Sequence, residues 1–175
     1  MDVRCLPAEL HNRPEKIPPA VECLIQENRD HYRTIFVAYG DCGTGGRLDD
    51  LLAREGVGRL PGMHCYEFYA GTQAFEAMVS DEVGTFFLTD FLLQQFDRLV
   101  LQGLGIDRHP ELLPVYFAHY KKLVYLSQKP SQDKLAAARV AACRLGLGFS
   151  HRETGYGDLA NRLKQVNEEI VTWPN

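Results

Sequence analysis

The chain has 175 residues, with 19 lysines and arginines against 23 aspartates and glutamates, so its formal net charge is −4. Hydrophobic residues at 45% are enough for a folded core, which speaks against disorder, and the acidic balance speaks against a general nucleic-acid binder. The longest apolar runs fall far short of the ~20 residues that span a bilayer, and the N-terminus MDVRCLPAELHNRPEK has no apolar signal-peptide core.

In chain order, residues 2–6 (DVRCL) read as a short strand and residues 19–32 as a helix. TIFVAY, residues 34–39, is a β-branched and aromatic run that reads as a buried strand. GGRLDDLLAREG reads as a helix with Leu48, Leu51 and Leu52 on one face and Gly56 as its stop. A further helix is expected from about Tyr66 to Val79, then a strand at TFFLT, residues 85–89. Asp90 is the expected cap of DFLLQQFDRLVLQGLG, whose DRLVLQGL portion reads alternatively as a strand. His109-Pro110 opens a helix to about Tyr120, KLVYLS (122–127) is a clear strand, and Ser131 to Leu145 is a helix ended by Gly146. GFSHRET is a weak last strand, and Gly157-Asp158 caps a final helix, DLANRLKQVNEEI.

Strands alternating with helices of this length predict βαβ units and a mainly parallel sheet. The expected fold is a single α/β domain over residues 1–175, a three-layer, Rossmann-like sandwich with helices on both faces. Ligands of such sheets sit beyond the carboxyl ends of the strands. That rule selects CLPAELHNRP, YGDCGTGG, TDF, LSQKPS and ETGYGD, while PGMHCYE stands apart because no strand is legible before it.

The five cysteines are Cys5, Cys23, Cys42, Cys65 and Cys143. Their odd number, with no CxxC pair, predicts free thiols in a cytoplasmic setting. Cys23 and Cys143 lie in helical, small-residue contexts and read as packing residues. Cys42 lies in YGDCGTGG, between a buried strand and a helix. Gly40, Gly43, Gly45 and Gly46 allow close backbone approach there, and free N–H groups at the helix start suit an anion. Gly40, Asp41, Gly43, Thr44, Gly45 and Gly46 are therefore candidate ligand-binding residues. The same helix start favours the thiolate of Cys42, as a nucleophile or a metal ligand. The alternative is a tight turn with an inert cysteine.

In PGMHCYE, His64, Cys65 and Glu67 offer nitrogen, sulfur and oxygen donors, of which at most two are expected to converge. With Cys42 they form the candidate metal set, and thiolate with imidazole suits zinc, iron or cobalt. Equally, His64 caps the helix and Cys65 packs inward. The third stretch, Cys5 to Pro19, holds four prolines in a rigid loop that carries His11 and Arg13, the latter able to grip a carboxylate or phosphate. Asp90, Asp107, Arg108, His109, Tyr156 and Asp158 are weaker candidates, each with an equal or better claim to capping a helix or forming a turn.

CLPAELHNRPEKIP, IFVAYGDCGTGG, GMHCYEFYAG, GTFFLTDFL, GLGIDRHPEL and TGYGDL together resemble the bacterial and archaeal domain-of-unknown-function family numbered sixteen thirty-eight, from about Val3 to Leu163. The resemblance implies a setting beside corrinoid-dependent methyltransferases, corrinoid proteins and their reductive activators, and so a role in methylamine, betaine or related one-carbon metabolism. Family members usually begin with a further strand and helix bearing a Cys-Gly pair, so a shortened front is expected here. Three functions follow as expectations. The first is a metal- or corrinoid-handling accessory protein with Cys42, His64, Cys65 and Glu67 as ligands. The second is a small-molecule transferase with Cys42 as nucleophile. The third is a non-catalytic docking module for a corrinoid protein or methyltransferase. A small anionic ligand is expected as partner, and neither nucleic acid nor membrane.

Overall fold

The computed structural model describes residues 2–60, 62–81, 83–157, 159, 161 and 163–165. Most of the expected final helix, with its Asp158 cap, lies outside the described residues. The chain is α/β, and among the described residues every paired strand runs parallel to its neighbour. The strands form two ladders, and the chain divides into two compact units, Met1–Cys65 with Asp158–Asn175, and Tyr66–Gly157. Among the described residues no helix is long and apolar enough to cross a membrane.

In the first unit, residues 2–6 are not the strand expected, since they are largely exposed and pair with no strand among the described residues. The proline loop forms two short 3-10 turns, Ala8–Asn12 and Pro14–Lys16. Helix α1 (Ile17–Asn28) follows, with Pro18 and Pro19 in its first turn, where a missing N–H breaks no helical bond. Strand β1 (Phe36–Val37), helix α2 (Arg47–Glu55) and strand β2 (Gly58–Arg59) complete the order. Val21 and Ile25 of α1 bury against Leu48, Leu51 and Leu52 of α2, the leucine face legible in the sequence. Gly56 stops α2 in the left-handed conformation. Strand β1 is shorter than TIFVAY because its partner, Gly58–Arg59, supplies two residues of ladder.

The second unit is built on β3 (Thr85–Thr89), β4 (Lys122–Ser127) and β5 (Gly148–Glu153), in that order across the sheet. The expected helix from Tyr66 is two, α3 (Cys65–Ala70) and α4 (Thr72–Asp81), broken at Gly71, whose φ is 79°. Tyr66, Phe75 and Met78 cover Phe87, Val124 and Leu126 on one face of the sheet. By strand alternation Leu88, Leu123 and Tyr125 point to the other face and are fully buried. There the Tyr125 hydroxyl donates to Asp90 of α5 (Asp90–Gln94), 2.7 Å away, and Asp90 binds Lys134 of α7 (Gln132–Arg144). The cap of α5 is Thr89, whose hydroxyl accepts the Leu92 N–H at 3.3 Å, and not Asp90. The ambiguous DRLVLQGL segment is a π-helical run, Phe96–Gln102. A 3-10 turn (Pro110–Leu112) leads into α6 (Leu113–Phe117), and Ser131 caps α7 as its sequence predicts.

Candidate functional site

Parallel pairing places the carboxyl ends of both strands at one edge of a ladder. Phe36 pairs with Gly58 and Val37 with Arg59, so the loops that follow β1 and β2 run side by side. Backbone bonds continue the pairing past the strands. Leu60 N–H donates to the Val37 carbonyl at 3.2 Å, Asp41 N–H to Gly62 at 3.1 Å, and Cys42 N–H to Met63 at 2.8 Å. PGMHCYE thus does follow a strand, one too short and too poor in β-formers to be read from sequence.

This pairing brings Cys42 and Cys65 together. The Cys65 thiol and the Cys65 backbone N–H both donate to the Cys42 sulfur, and the Gly40 N–H adds a third bond. Burial opposes ionisation, yet these donors bring the Cys42 thiol down to about 7. Cys42 is half-buried and, among the described residues, is the one non-glycine with positive φ, at 48°. A side chain in that region costs about 1–2 kcal/mol. Cys42 holds it because both its neighbours are fixed: its N–H by Met63, and the loop beyond it by Asp41.

Asp41 is buried and accepts three bonds from its own loop: the Thr44 hydroxyl at 2.5 Å, the Gly46 N–H at 2.9 Å and the Gly45 N–H at 3.2 Å. The Thr44 hydroxyl foremost, then the Gly46 and Gly45 N–H groups, hold its carboxyl below the usual carboxylate range. The N–H groups expected to receive an external anion at Gly45 and Gly46 therefore bind the protein's own carboxylate. Thr44 is buried as a brace, and its hydroxyl also stands 3.4 Å from the Leu48 N–H. Gly43, Gly45 and Gly46 have φ of 82°, 64° and 82°, values that favour glycine, so their role here is conformational.

Arg59, Asp49 and Tyr39 also belong to the site, and of these Arg59 and Asp49 carried no sequence signal as functional residues. Arg59 grips Asp49 with both nitrogens, Nε to Oδ1 at 2.5 Å and Nη2 to Oδ2 at 2.8 Å. Its Nη1 donates to the carbonyls of Leu60 at 2.5 Å and Gly62 at 3.2 Å. Asp49, then Asp41 and a Cys42 thiolate, raise the Arg59 pKa, so the guanidinium lies within electrostatic reach of the sulfur. Tyr39 packs on the same core as Cys42 and Leu6, and burial, then charge on Cys42, Cys65 and Cys5, pushes its phenol up. Cys5 thus shares this neighbourhood, although it is exposed.

The remaining candidates are placed as follows. His11 lies in the last turn of the first 3-10 segment and Arg13 follows that segment, both exposed, and desolvation pushes the His11 ring down. A Cβ on Gly43 would meet the Pro14 ring at 3.6 Å, so the proline loop lies alongside the glycine loop. His64 is exposed in the bend before Cys65, and Glu67 stands in the first turn of α3, in the second unit. Cys23 and Cys143 are exposed and not the core residues expected. In the second unit, Asp90 accepts from Tyr125, Lys134 and the N–H groups of Gln128 and Lys129, both at 3.2 Å. Asp107, Arg108, His109 and Tyr156 are exposed, and His109 contacts Glu111 at 3.2 Å.

Among the described residues, no three His, Cys, Asp or Glu side chains stand where they could share a metal ion. The set Cys42, His64, Cys65 and Glu67 is thus assembled as far as its two sulfurs. Structural zinc takes four donors and catalytic zinc three with an open position. Two sulfurs do not supply that shell.

The fold and the site define an α/β protein with a pair of interacting cysteines, Cys42 and Cys65, at the carboxyl edge of a short parallel ladder. The chain belongs to the family described as a protein of unknown function, DUF1638, whose model matches residues 5–163. That match takes in the segments carrying Cys5, Cys42 and Cys65. No curated protein and no solved structure matches the chain.

Proposed function

We propose that the chain performs thiol-dependent group transfer on a small electrophilic molecule, with Cys42 as the nucleophile. The carrying observation is that Cys65 donates to Cys42 from both its thiol and its N–H, which supports a thiolate near neutral pH. In the transfer, the Cys42 thiolate bonds to the electrophilic carbon of a donor and the leaving group departs with its electron pair. An incoming nucleophile then takes the group from sulfur and restores the thiolate. Cys65 stabilises the thiolate at both ends of the cycle by hydrogen bonding. The family resemblance suggests one-carbon metabolism as the setting, with a methyl-sized group as cargo and a corrinoid protein or methyltransferase as partner. A protein-ligated metal ion needs donors beyond the two sulfurs, which supports the nucleophile over the metal-ligand reading of Cys42.

Competitive labelling tests this. The protein is treated at pH 7 with limiting iodoacetamide, and in parallel with methyl iodide, and the five cysteines are quantified by peptide mass spectrometry. Exposure alone favours Cys5, Cys23 and Cys143. The expected result is modification of half-buried Cys42 first with both reagents. Labelling in order of exposure would remove the basis of the proposal.

A further inference from the structure

Cys42 and Cys65 sit on different loops, and a hydrogen bond between side chains does not by itself hold two loops in register. Three groups bind the Cys65 loop from outside. The N–H groups of Asp41 and Cys42 take the Gly62 and Met63 carbonyls, and Arg59 Nη1 takes the Leu60 and Gly62 carbonyls. The Gly62 carbonyl therefore receives both Asp41 and Arg59, at 3.1 and 3.2 Å. Arg59 is in turn held from the other side by Asp49, in the first turn of α2, the helix that the Cys42 loop opens. The chain of contacts runs from α2 through Asp49 and Arg59 to the Cys65 loop, and back to the Cys42 loop at Asp41. The Arg59 side chain is 14% exposed, so this fork is largely shielded, whereas Asp49 is 52% exposed.

We propose that Arg59, anchored by Asp49, is the positioning residue of the thiol pair: it fixes the loop that presents Cys65 to Cys42. A guanidinium suits this task because it can bind a carboxylate with two nitrogens and still offer a third to carbonyls. A lysine at the same place supplies the charge without the fork. The charged and titratable groups around Cys42 are Cys65, Asp41, Arg59, Tyr39 and Cys5.

The inference rests on the reading of Cys42 as a reactive thiolate, and one experiment separates the two. The rate of Cys42 alkylation by iodoacetamide is followed against pH in wild type, Arg59→Met, Arg59→Lys and Asp49→Ala, with folding checked by circular dichroism. Wild type is expected to titrate near 7. Arg59→Met, which loses the fork, is expected to react roughly three- to tenfold more slowly at pH 7, because the Cys65 donors lose their register with the Cys42 sulfur and the midpoint moves toward ~8.5. Arg59→Lys, which loses the fork, and Asp49→Ala, which loses the anchor of the fork but keeps its Nη1 donor, are expected between the two. A merely structural role would lower thermal stability and leave the pH midpoint where it was. Should Arg59→Met fail to fold, the other two variants carry the test alone. Midpoints in the folded variants equal to a wild-type value near 7 would overturn the positioning role. A wild-type midpoint near 8.5 would instead overturn the reading of Cys42 on which it rests.

Discussion

Cys65 binds Cys42 twice, once through its thiol and once through its backbone N–H, and both bonds end on the same sulfur. The pair exists because β1 and β2 are parallel and end at one edge, which turns a separation of 23 residues in sequence into a side-chain contact. A thiol donor and an amide donor act differently. The amide stays when the side chain is changed, so a substitution at Cys65 removes part of the stabilisation and leaves the rest.

That division makes a graded prediction. Cys65→Ala deletes the side-chain donor, the largest contribution to the lowered Cys42 pKa, and keeps the N–H. Alkylation of Cys42 at pH 7 is expected to slow by roughly three- to tenfold, with the midpoint moving toward ~8.5. Cys65→Ser keeps a hydroxyl donor and is expected to fall between Ala and wild type. Stopped-flow alkylation against pH gives both midpoints.

Asp41 is the internal anchor of the Cys42 loop. Asp41→Ala leaves the Thr44 hydroxyl and the Gly45 and Gly46 N–H groups without their acceptor, and is expected to destabilise the protein by about 2–3 kcal/mol in urea unfolding. Thr44→Val, which removes the hydroxyl alone, is expected to cost about 1 kcal/mol. Because the folded Asp41 pKa is depressed, its contribution is fully present above the unfolded value of ~3.9 and is lost as pH falls through the folded value. Asp41→Asn is therefore expected to show less loss of stability below about pH 4 than wild type does.

Gly84 enters β3 with φ of 100°, and a Cβ there would lie 2.4 Å from the His119 carbonyl oxygen. Both backbone atoms would have to move. Gly84→Ala is expected to lose about 2–4 kcal/mol. Gly146→Ala, with φ of 70° and open space around the added carbon, is expected to lose only about 1 kcal/mol. Paired thermal melts check the difference, which measures the steric contact apart from the dihedral strain.

In the second unit Asp90 gathers Tyr125, Lys134 and two backbone N–H groups at the end of β3. Burial works against its ionisation, but these donors, Lys134 and Tyr125 foremost, hold it below the usual carboxylate range. Asp90→Ala is expected to cost about 2–3 kcal/mol, since Tyr125 and the amides lose a charged acceptor. Lys134→Met is expected to cost no more than about 1 kcal/mol, because the lysine is 38% exposed and water screens the pair. A double-mutant cycle in urea measures their coupling.

How much of this was legible depends on pattern strength. TFFLT and KLVYLS are dense in β-branched and aromatic residues and became β3 and β4 residue for residue. The leucine face of α2 and the Ser131 cap of α7 are equally local signals. Gly58–Arg59 was illegible because neither residue favours a strand, and its pairing is decided by β1 alone. With β2 unseen, the meeting of Cys42 with Cys65 had no basis beyond residue chemistry. The functions of Arg59 and Asp49 were hidden for the same reason: their contact is tertiary, ten residues apart across a turn, and each looks like an ordinary surface charge in sequence. Asp41 was legible as a loop residue. That it binds its own loop's N–H groups, in place of an external anion, follows from the positive φ at Gly45 and Gly46, which turns those groups inward.

The central claim is that Cys42 is a thiolate at neutral pH because of its setting. The most direct measurement is the pH dependence of Cys42 alkylation in the wild-type protein, read at the Cys42 peptide by mass spectrometry. The predicted result is a single rise with a midpoint near 7. A Cys42 midpoint at or above ~8.5, the value of a free cysteine, would contradict it.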